Sequence, residues 1–372
     1  MMNSNKPKIV LGMSGGVDSS VCAYLLKQQG YDVVGLFMQN WDNVVNYDIK
    51  GQVNSNQTTC DAAKDFSDAQ AVAKNLNIPI HYTEFINEYW NEVFQYVINE
   101  YQNGRTPNPD ILCNKYIKFD HFIQYAKNHL NCDRIAMGHY ANVEYLDGEY
   151  YLTKAKDEFK DQTYFLCWLN QEQLAKVIFP LGNLNKTEVR KIAETNNFIN
   201  WNKKDSTGIC FIGERKFKEF LQNYIKPKKG NVIDIVSKQK VGTHEGIMFY
   251  TIGQNRSLGL GGLTTKYFVC VKDLKNNILY VCDKDHKDQY LTSTKAKLIK
   301  FNWINSHPER FTKKPLQVRF RHTGKLVNCT CQIKDDQVLI NFDPTLMVVP
   351  GQFAVLYDGK YCLGGGIIDT VQ

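Results

Sequence analysis

Residues 8–20 read Lys8-Ile9-Val10-Leu11-Gly12-Met13-Ser14-Gly15-Gly16-Val17-Asp18-Ser19-Ser20. The run from Lys8 to Met13 is short and apolar and predicts a buried strand. Two glycines then allow a tight turn in which the backbone approaches a ligand. Ser19 to Gln29 reads as a helix closed by Gly30, and Asp32 to Met38 as the next strand. A strand, a glycine-rich turn and a helix N-terminus together make an anion site that a phosphate fits, because the first N–H groups of the helix have no partner of their own. The loop lacks the Gly-Lys-Ser/Thr ending of a Walker A loop, so it does not predict ordinary γ-phosphate transfer.

Outward from this unit the alternation continues. Asp61 to Leu76 reads as a helix, Ile78 to Tyr82 as a strand, Phe85 to Tyr101 and Lys115 to His129 as helices, and Arg134 to Met137 as a short strand. The expectation is an α/β fold, a doubly wound parallel sheet covered on both faces. In such sheets ligands sit beyond the carboxyl ends of the strands, where this reading places Met38 and Gly138. A buried strand-end methionine explains Met38 equally well. After about Phe217 the texture becomes short alternating strands, such as Gln317 to Phe320, Val327 to Ile333 and Val338 to Phe342, with an Asp358-Gly359 hairpin turn. The expected organisation is a catalytic domain over 1–215, a small β-rich domain over 216–290 and a C-terminal β-barrel over 291–372.

Lys plus Arg exceed Asp plus Glu by 45 to 38, a net charge of +7 that permits a polyanionic partner without demanding one. No run approaches the roughly 18 apolar residues of a membrane span, and the polar start, Met1 to Lys8, has no apolar signal core. A cytoplasmic location is expected. The 11 cysteines are odd in number and follow no export signal, which argues against a disulfide scaffold. No Cys-x-x-Cys pair occurs, so no zinc site and no other metal centre is expected.

Two cysteines have distinctive surroundings. Cys113 follows Pro107-Asn108-Pro109-Asp110 and falls just before the helix expected from Lys115, with Lys118 near; a helix start and cations favour thiolate. Asp110, in the same stiff segment, is a candidate acid or base. Cys210 lies in Ser206-Thr207-Gly208-Ile209-Cys210-Phe211-Ile212-Gly213, a glycine-flanked loop downstream of Lys203 and Lys204. On residue type alone each thiol fits a structural role as well as a reactive one.

Ser14-Gly15-Gly16-Val17-Asp18-Ser19 resembles the pyrophosphatase loop of enzymes that split ATP into adenylate and pyrophosphate. With Pro107 to Cys113, Ser206 to Gly213, Gly138-His139-Tyr140, Lys160-Asp161-Gln162, Thr251 to Gln254 and Pro350-Gly351-Gln352, the chain resembles the bacterial and mitochondrial tRNA-specific 2-thiouridylases from end to end. That resemblance implies ATP with Mg2+, bound by Gly12, Met13, Ser14, Gly15, Gly16, Val17, Asp18, Ser19, Met38 and Gly138. It further implies adenylation of the C2 oxygen of the wobble uridine and attack by a persulfide on Cys210. Cys113 would release the sulfur through a transient disulfide with Cys210, and Asp110 would be the acid or base. A lysidine or GMP synthetase would carry the loop without needing the cysteine pair.

Asn108, Pro109 and Asp110 would floor the pocket for the flipped base, and His139, Lys160, Asp161, Gln162, Arg319, Phe320 and Gln352 would meet tRNA. Substrates would be the tRNAs for Lys, Glu and Gln, and sulfur would come from a cysteine desulfurase or a relay protein. Independently of the family, strand alternation sets Arg319 and Arg321 on one face, which Lys313, Lys314 and Lys325 extend into a patch suited to phosphates. Two positions depart from the family pattern: Met137 stands where Thr is frequent, and Asn255 where a basic residue is common.

Overall fold

The computed structural model describes residues 6–48, 61–205, 217–261, 265–312 and 314–372. Its first sheet is parallel throughout. β1 (Lys8–Gly12), β2 (Asp32–Gln39), β3 (Ile80–Glu84) and β4 (Ile135–Ala136) are followed by a hairpin of β5 (Asn142–Leu146) and β6 (Glu149–Thr153), and then by β7 (Val177–Ile178). The order in the sheet is β3-β2-β1-β4-β7, so β1 is central and the order reverses beside it, between β1 and β4. Ile9, Val10 and Leu11 are fully buried, as a strand covered on both faces requires.

Period-two alternation divides these residues between two cores. Ile9 and Leu11 pack with Val17 and Val21 of α1 (Val17–Gln28) and with Val72 and Ala73 of α2 (Asp61–Leu76). Val10 and Leu36 face the opposite way, toward Tyr89, Phe94, Ile117 and Phe122. Those residues belong to α3, continuous through Ile86–Tyr89, Trp90–Phe94 and Gln95–Gln102, and α4, continuous through Pro109–Leu112, Cys113–His121 and Phe122–Leu130. The middle stretch of each is widened to π-helical hydrogen bonding, a feature that accompanies functional sites.

A second sheet holds β8 (Gly230–Asp234), β9 (Lys240–His244), β10 (Tyr267–Asp273) and β11 (Ile278–Asp283) in the order β10-β11-β8-β9. The third holds β12 (Thr292–Trp303), β13 (Leu316–Arg319), β14 (Val327–Lys334), β15 (Gln337–Leu346), β16 (Phe353–Asp358) and β17 (Tyr361–Val371). These run β12-β15-β14-β13-β16-β17, and pairing of β12 with β17 closes the ring into a barrel without free edges. The β5–β6 hairpin, unexpected from the sequence, joins this barrel through Tyr361↔Thr153 and Cys362↔Leu152. A piece of the first 215 residues is thereby welded to the last.

Candidate active site

The turn after β1 takes the form its glycines permit. Gly15 has φ +73°, and a Cβ there would lie 2.1 Å from the backbone oxygen of Asp65. No other residue fits both conditions. Ser19 Oγ accepts from Ser14 N at 3.2 Å and donates to the carbonyl of Gly16 at 3.0 Å, which ties the loop to the first turn of α1. Asn200 holds its far side, donating to Gly15 O at 3.0 Å and Ser20 Oγ at 2.9 Å. Lys203 donates to Gly15 O at 3.1 Å while paired with Asp65 and Asp68 at 2.7 and 2.6 Å. Gly138 lies against this turn, its Cβ direction 3.4 Å from Ser19 N, as expected for a residue beyond β4. Met13 and Val17 are buried supports, and Met38 packs on the core that contains Leu36. Met137 is buried, with its sulfur 2.6 Å from where a Gly12 Cβ would stand. A side chain at Gly12 would displace Met137, which has a volume-filling role in place of a hydroxyl contact.

Asp18 opens a chain of charges that sequence reading missed. Lys186 reaches both Asp18 oxygens, at 2.7 and 2.8 Å, and also Asp205 Oδ1 at 2.8 Å. Its side chain is 12% exposed, so solvent screens these contacts weakly. Lys160 and Arg190 add pairs to Asp205 at 2.7 and 3.0 Å. Burial raises the Asp205 carboxyl, but hydrogen bonds from Lys160 and Lys186 outweigh it and hold the group at about 2. One signal in the sequence pointed to Lys186. Asn185 and Glu188 form a capping box, so Lys186 is the first residue of the helix Lys186–Thr195. A cation there opposes the helix dipole and needs local carboxylates to justify it.

The second cluster surrounds the proline-rich loop. Asn108 caps α4, accepting from Asp110 N at 3.1 Å, and Pro109 occupies the first helical position. The helix thus begins at Pro109, well before the expected Lys115. Cys113 is therefore not at its start: the Cys113 amide bonds back to Asp110 O and Pro109 O, and the residue is buried beside Ile111 and Ile117. Burial raises the Asp110 carboxyl, and Lys118 partly offsets this. Burial, with Lys118 second, lowers His139 and keeps its imidazole neutral. The His139 ring lies 5.9 Å from both Phe119 and Phe179, and its Nδ1 has no partner among the described residues.

Residues 138–140 connect the two clusters. Gly138 abuts Asp18 and Ser19, Tyr140 donates its hydroxyl to Asp18 at 2.9 Å, and His139 between them shares Lys118 with Asp110. Gln162 accepts from Tyr140 N at 2.9 Å. Gln352, on the barrel, donates to Thr106 O and Pro107 O at 2.8 and 3.1 Å and so clamps the proline loop.

Three surface assignments need correction. Arg319 is buried, not on a solvated strand face, because Asp161 reaches in from the turn before Thr163–Leu166 and takes its guanidinium at 2.9 Å. Asp161, 1% exposed, is spent on that pair and on Thr163. Phe320 is buried against Phe342. Arg321 and Lys325 do face solvent, and Lys314 pairs with Asp358. Lys160 is half exposed but tied to Asp205. Lys313 and the segment with Cys210 lie outside the described residues.

Family models match in three consecutive stretches: a tRNA methyl transferase HUP domain over residues 7–214, a tRNA methyl transferase PRC-barrel domain over 218–283 and an aminomethyltransferase beta-barrel domain over 293–368. The tRNA-specific 2-thiouridylase MnmA of Ureaplasma urealyticum is 51% identical over 98% of this chain and 96% of its own length. That of Mycoplasma capricolum is 52% identical over 98% and 99%. The chain belongs to the tRNA-specific 2-thiouridylase family. A 2-thiouridylase of this size also occurs inside a longer protein: the trifunctional protein RibF/MnmA of Mycoplasmoides gallisepticum is 48% identical over 98% of this chain but only 56% of its own length. No helix among the described residues is long and apolar enough to cross a membrane.

Proposed function

We propose that the protein thiolates the wobble uridine of tRNA in the cytoplasm, using ATP to activate the C2 oxygen. The observation that supports this reading is the Gly138-His139-Tyr140 bridge: Gly138 and Tyr140 touch the turn that holds Asp18, and His139 shares Lys118 with Asp110, a carboxyl that burial raises. A nucleotide and a base delivered to the two clusters would meet there.

ATP enters as a substrate, its phosphates on the amides of Ser14 to Val17 and its charge met by Lys186 and Lys203. Asp18 is the oxygen donor suited to the Mg2+ that accompanies the nucleotide, and such an ion would neutralise charge on the phosphates. The uracil C2 oxygen attacks the α-phosphorus and pyrophosphate leaves. Asp110 supplies or removes the proton that this transfer requires, its raised carboxyl being poised for exchange. A persulfide on Cys210 then attacks C2 through its outer sulfur, and AMP departs. Cys113 thiolate attacks the inner sulfur, releasing 2-thiouridine and leaving a Cys113–Cys210 disulfide that an external thiol reduces. The electrons balance because the outer sulfur is reduced as the two cysteines are oxidised.

Asn108 and Pro109, with Asp110, would line the pocket of the flipped base, since chemistry at C2 needs an unstacked nucleotide. His139, Lys160, Gln162 and Gln352 are the tRNA-contact candidates that this reading keeps, whereas Arg319, Asp161 and Phe320 are buried. Acceptors are the tRNAs for Lys, Glu and Gln, and a cysteine desulfurase or relay protein loads Cys210.

The thiol assignment has a direct test. With a cysteine desulfurase and cysteine, wild type and Cys113→Ser should gain one sulfur on the Cys210 peptide by mass spectrometry without reductant. Cys210→Ser should gain none, and both variants should fail in multiple-turnover thiolation. A persulfide only on Cys113 would refute the division of roles.

A further inference from the structure

Behind the proline loop lies a cavity of about 260 Å3 that nothing in the thiolation scheme uses. Gly104 and Thr106 border it from the loop, Cys270 and Lys272 from β10, and Ser293 and Val349 from the barrel side. Most of its wall is apolar, but one cation enters it. Lys272 Nζ donates to the Gly104 carbonyl at 2.8 Å, and no described carboxylate forms an ion pair with it. Burial alone accounts for its lowered value of about 8. A part-buried ammonium with one neutral acceptor is short of partners, and an anion would complete its set. Thr106, whose hydroxyl is hydrogen-bonded to Thr251 Oγ1 at 3.2 Å, and Ser293 line the same walls.

We propose that this cavity is a binding site for a small organic anion, a short branched carboxylate whose charge sits on Lys272 and whose hydrocarbon rests against Cys270 and Val349. The class follows from the walls: a single cation among apolar groups selects one carboxylate on a compact apolar body, in preference to a multiply charged phosphate. The ligand would share Lys272 with Gly104, the residue that leads into Arg105 and Thr106, so occupancy bears on the loop that carries Asn108 and Asp110. This site goes beyond the thiolation reading and stands independently of it.

The test uses the full chain, isothermal titration and thermal shift, with 3-methylbutyrate, its uncharged amide 3-methylbutyramide, and inorganic phosphate as probes. Wild type should bind the carboxylate about tenfold more tightly than the amide, as expected for a charge-assisted contact, and more tightly than phosphate. Lys272→Met should abolish the preference for acid over amide, and Lys272→Arg should retain it. Equal binding of acid and amide, carboxylate binding unaffected by Lys272→Met, absence of saturable binding, or phosphate binding at least as tight as the carboxylate would each overturn the proposal.

Discussion

The turn after β1, half exposed at Asp18 and Asp205, and the buried cluster around His139 treat charge in opposite ways. Around Asp18, two carboxylates share Lys186, and Lys160 and Arg190 complete the set, so Asp205 stays ionised down to about 2. Around Asp110, one lysine serves a carboxyl that burial pushes up and an imidazole that burial pushes down. Burial and partners act together: the half-exposed Asp205 with three cations stays ionised, whereas the buried Asp110 with one lysine is pushed up. Paired charges hold their places and suit a fixed phosphate, whereas under-partnered groups exchange protons and suit chemistry on a base.

Removing the shared cation should break the first region most severely. Lys186→Met is expected to lower tRNA-dependent release of AMP and pyrophosphate by about 10³-fold, the scale of a lost preorganised charge contact, with tRNA affinity by filter binding unchanged. Unaltered ATP cleavage would mean that the Asp18–Lys186–Asp205 chain is a surface ornament.

Arg319→Ala sharpens the contrast from the structural side. It strips a buried carboxylate of its cation, so chemical denaturation should show a loss of about 3 kcal/mol. Arg319→Ala combined with Asp161→Asn should recover part of it, and the salt dependence of tRNA binding should not change. A reduced salt slope with native stability would instead make Arg319 a phosphate contact.

Asp110→Asn should reduce the thiolation rate at saturating substrate by about 10²-fold while leaving the KM for ATP unaltered. In the wild type a role as acid requires the protonated form, so the rate should fall as pH rises through the raised Asp110 value, and the variant should lack that limb. An identical pH profile in the variant would remove Asp110 from the chemistry.

The smallest effects are on stability against pH, and their signs differ. Folded His139 binds its proton less readily than the unfolded chain, so stability should decline as pH falls below the ordinary 6.5 toward its lowered value. Folded Asp205 holds its proton less readily than the ordinary 3.8, so its stabilisation is present above that pH and vanishes as pH falls toward about 2. Folded Asp110 behaves oppositely, disfavouring the fold as pH rises from 3.8 through its raised value. Urea melts of His139→Gln and Asp205→Asn should each lose their own acid limb; a melt series parallel to wild type would show that the group is not responsible.

Much of this was legible in the residues because the nucleotide half obeys local rules. Ile9 to Leu11, the Gly15 turn and the helix Asp61–Leu76 follow from hydrophobic period and glycine chemistry, and they came out as read. The start of α4 was also written locally, in an Asn cap followed by Pro109, but the prolines read more readily as a stiff loop. Arg319 was illegible in principle, since alternation describes a strand's faces and not what later covers them. The same holds for the β5–β6 hairpin, whose pairing with β17 spans about two hundred residues of chain. Lys186 lay between these cases, visible only when its place in a capping box is weighed against the dipole.

The decisive measurement is on products. An unmodified tRNA for Glu, incubated with the protein, ATP, a cysteine desulfurase and cysteine, is cut by a ribonuclease into oligonucleotides for mass spectrometry while nucleotides are resolved by chromatography. One 2-thiouridine is expected, at the wobble position, with at least one AMP and one pyrophosphate released for each sulfur installed. ADP as the nucleotide product, or a wobble uridine returned without sulfur while ATP is consumed, would contradict it.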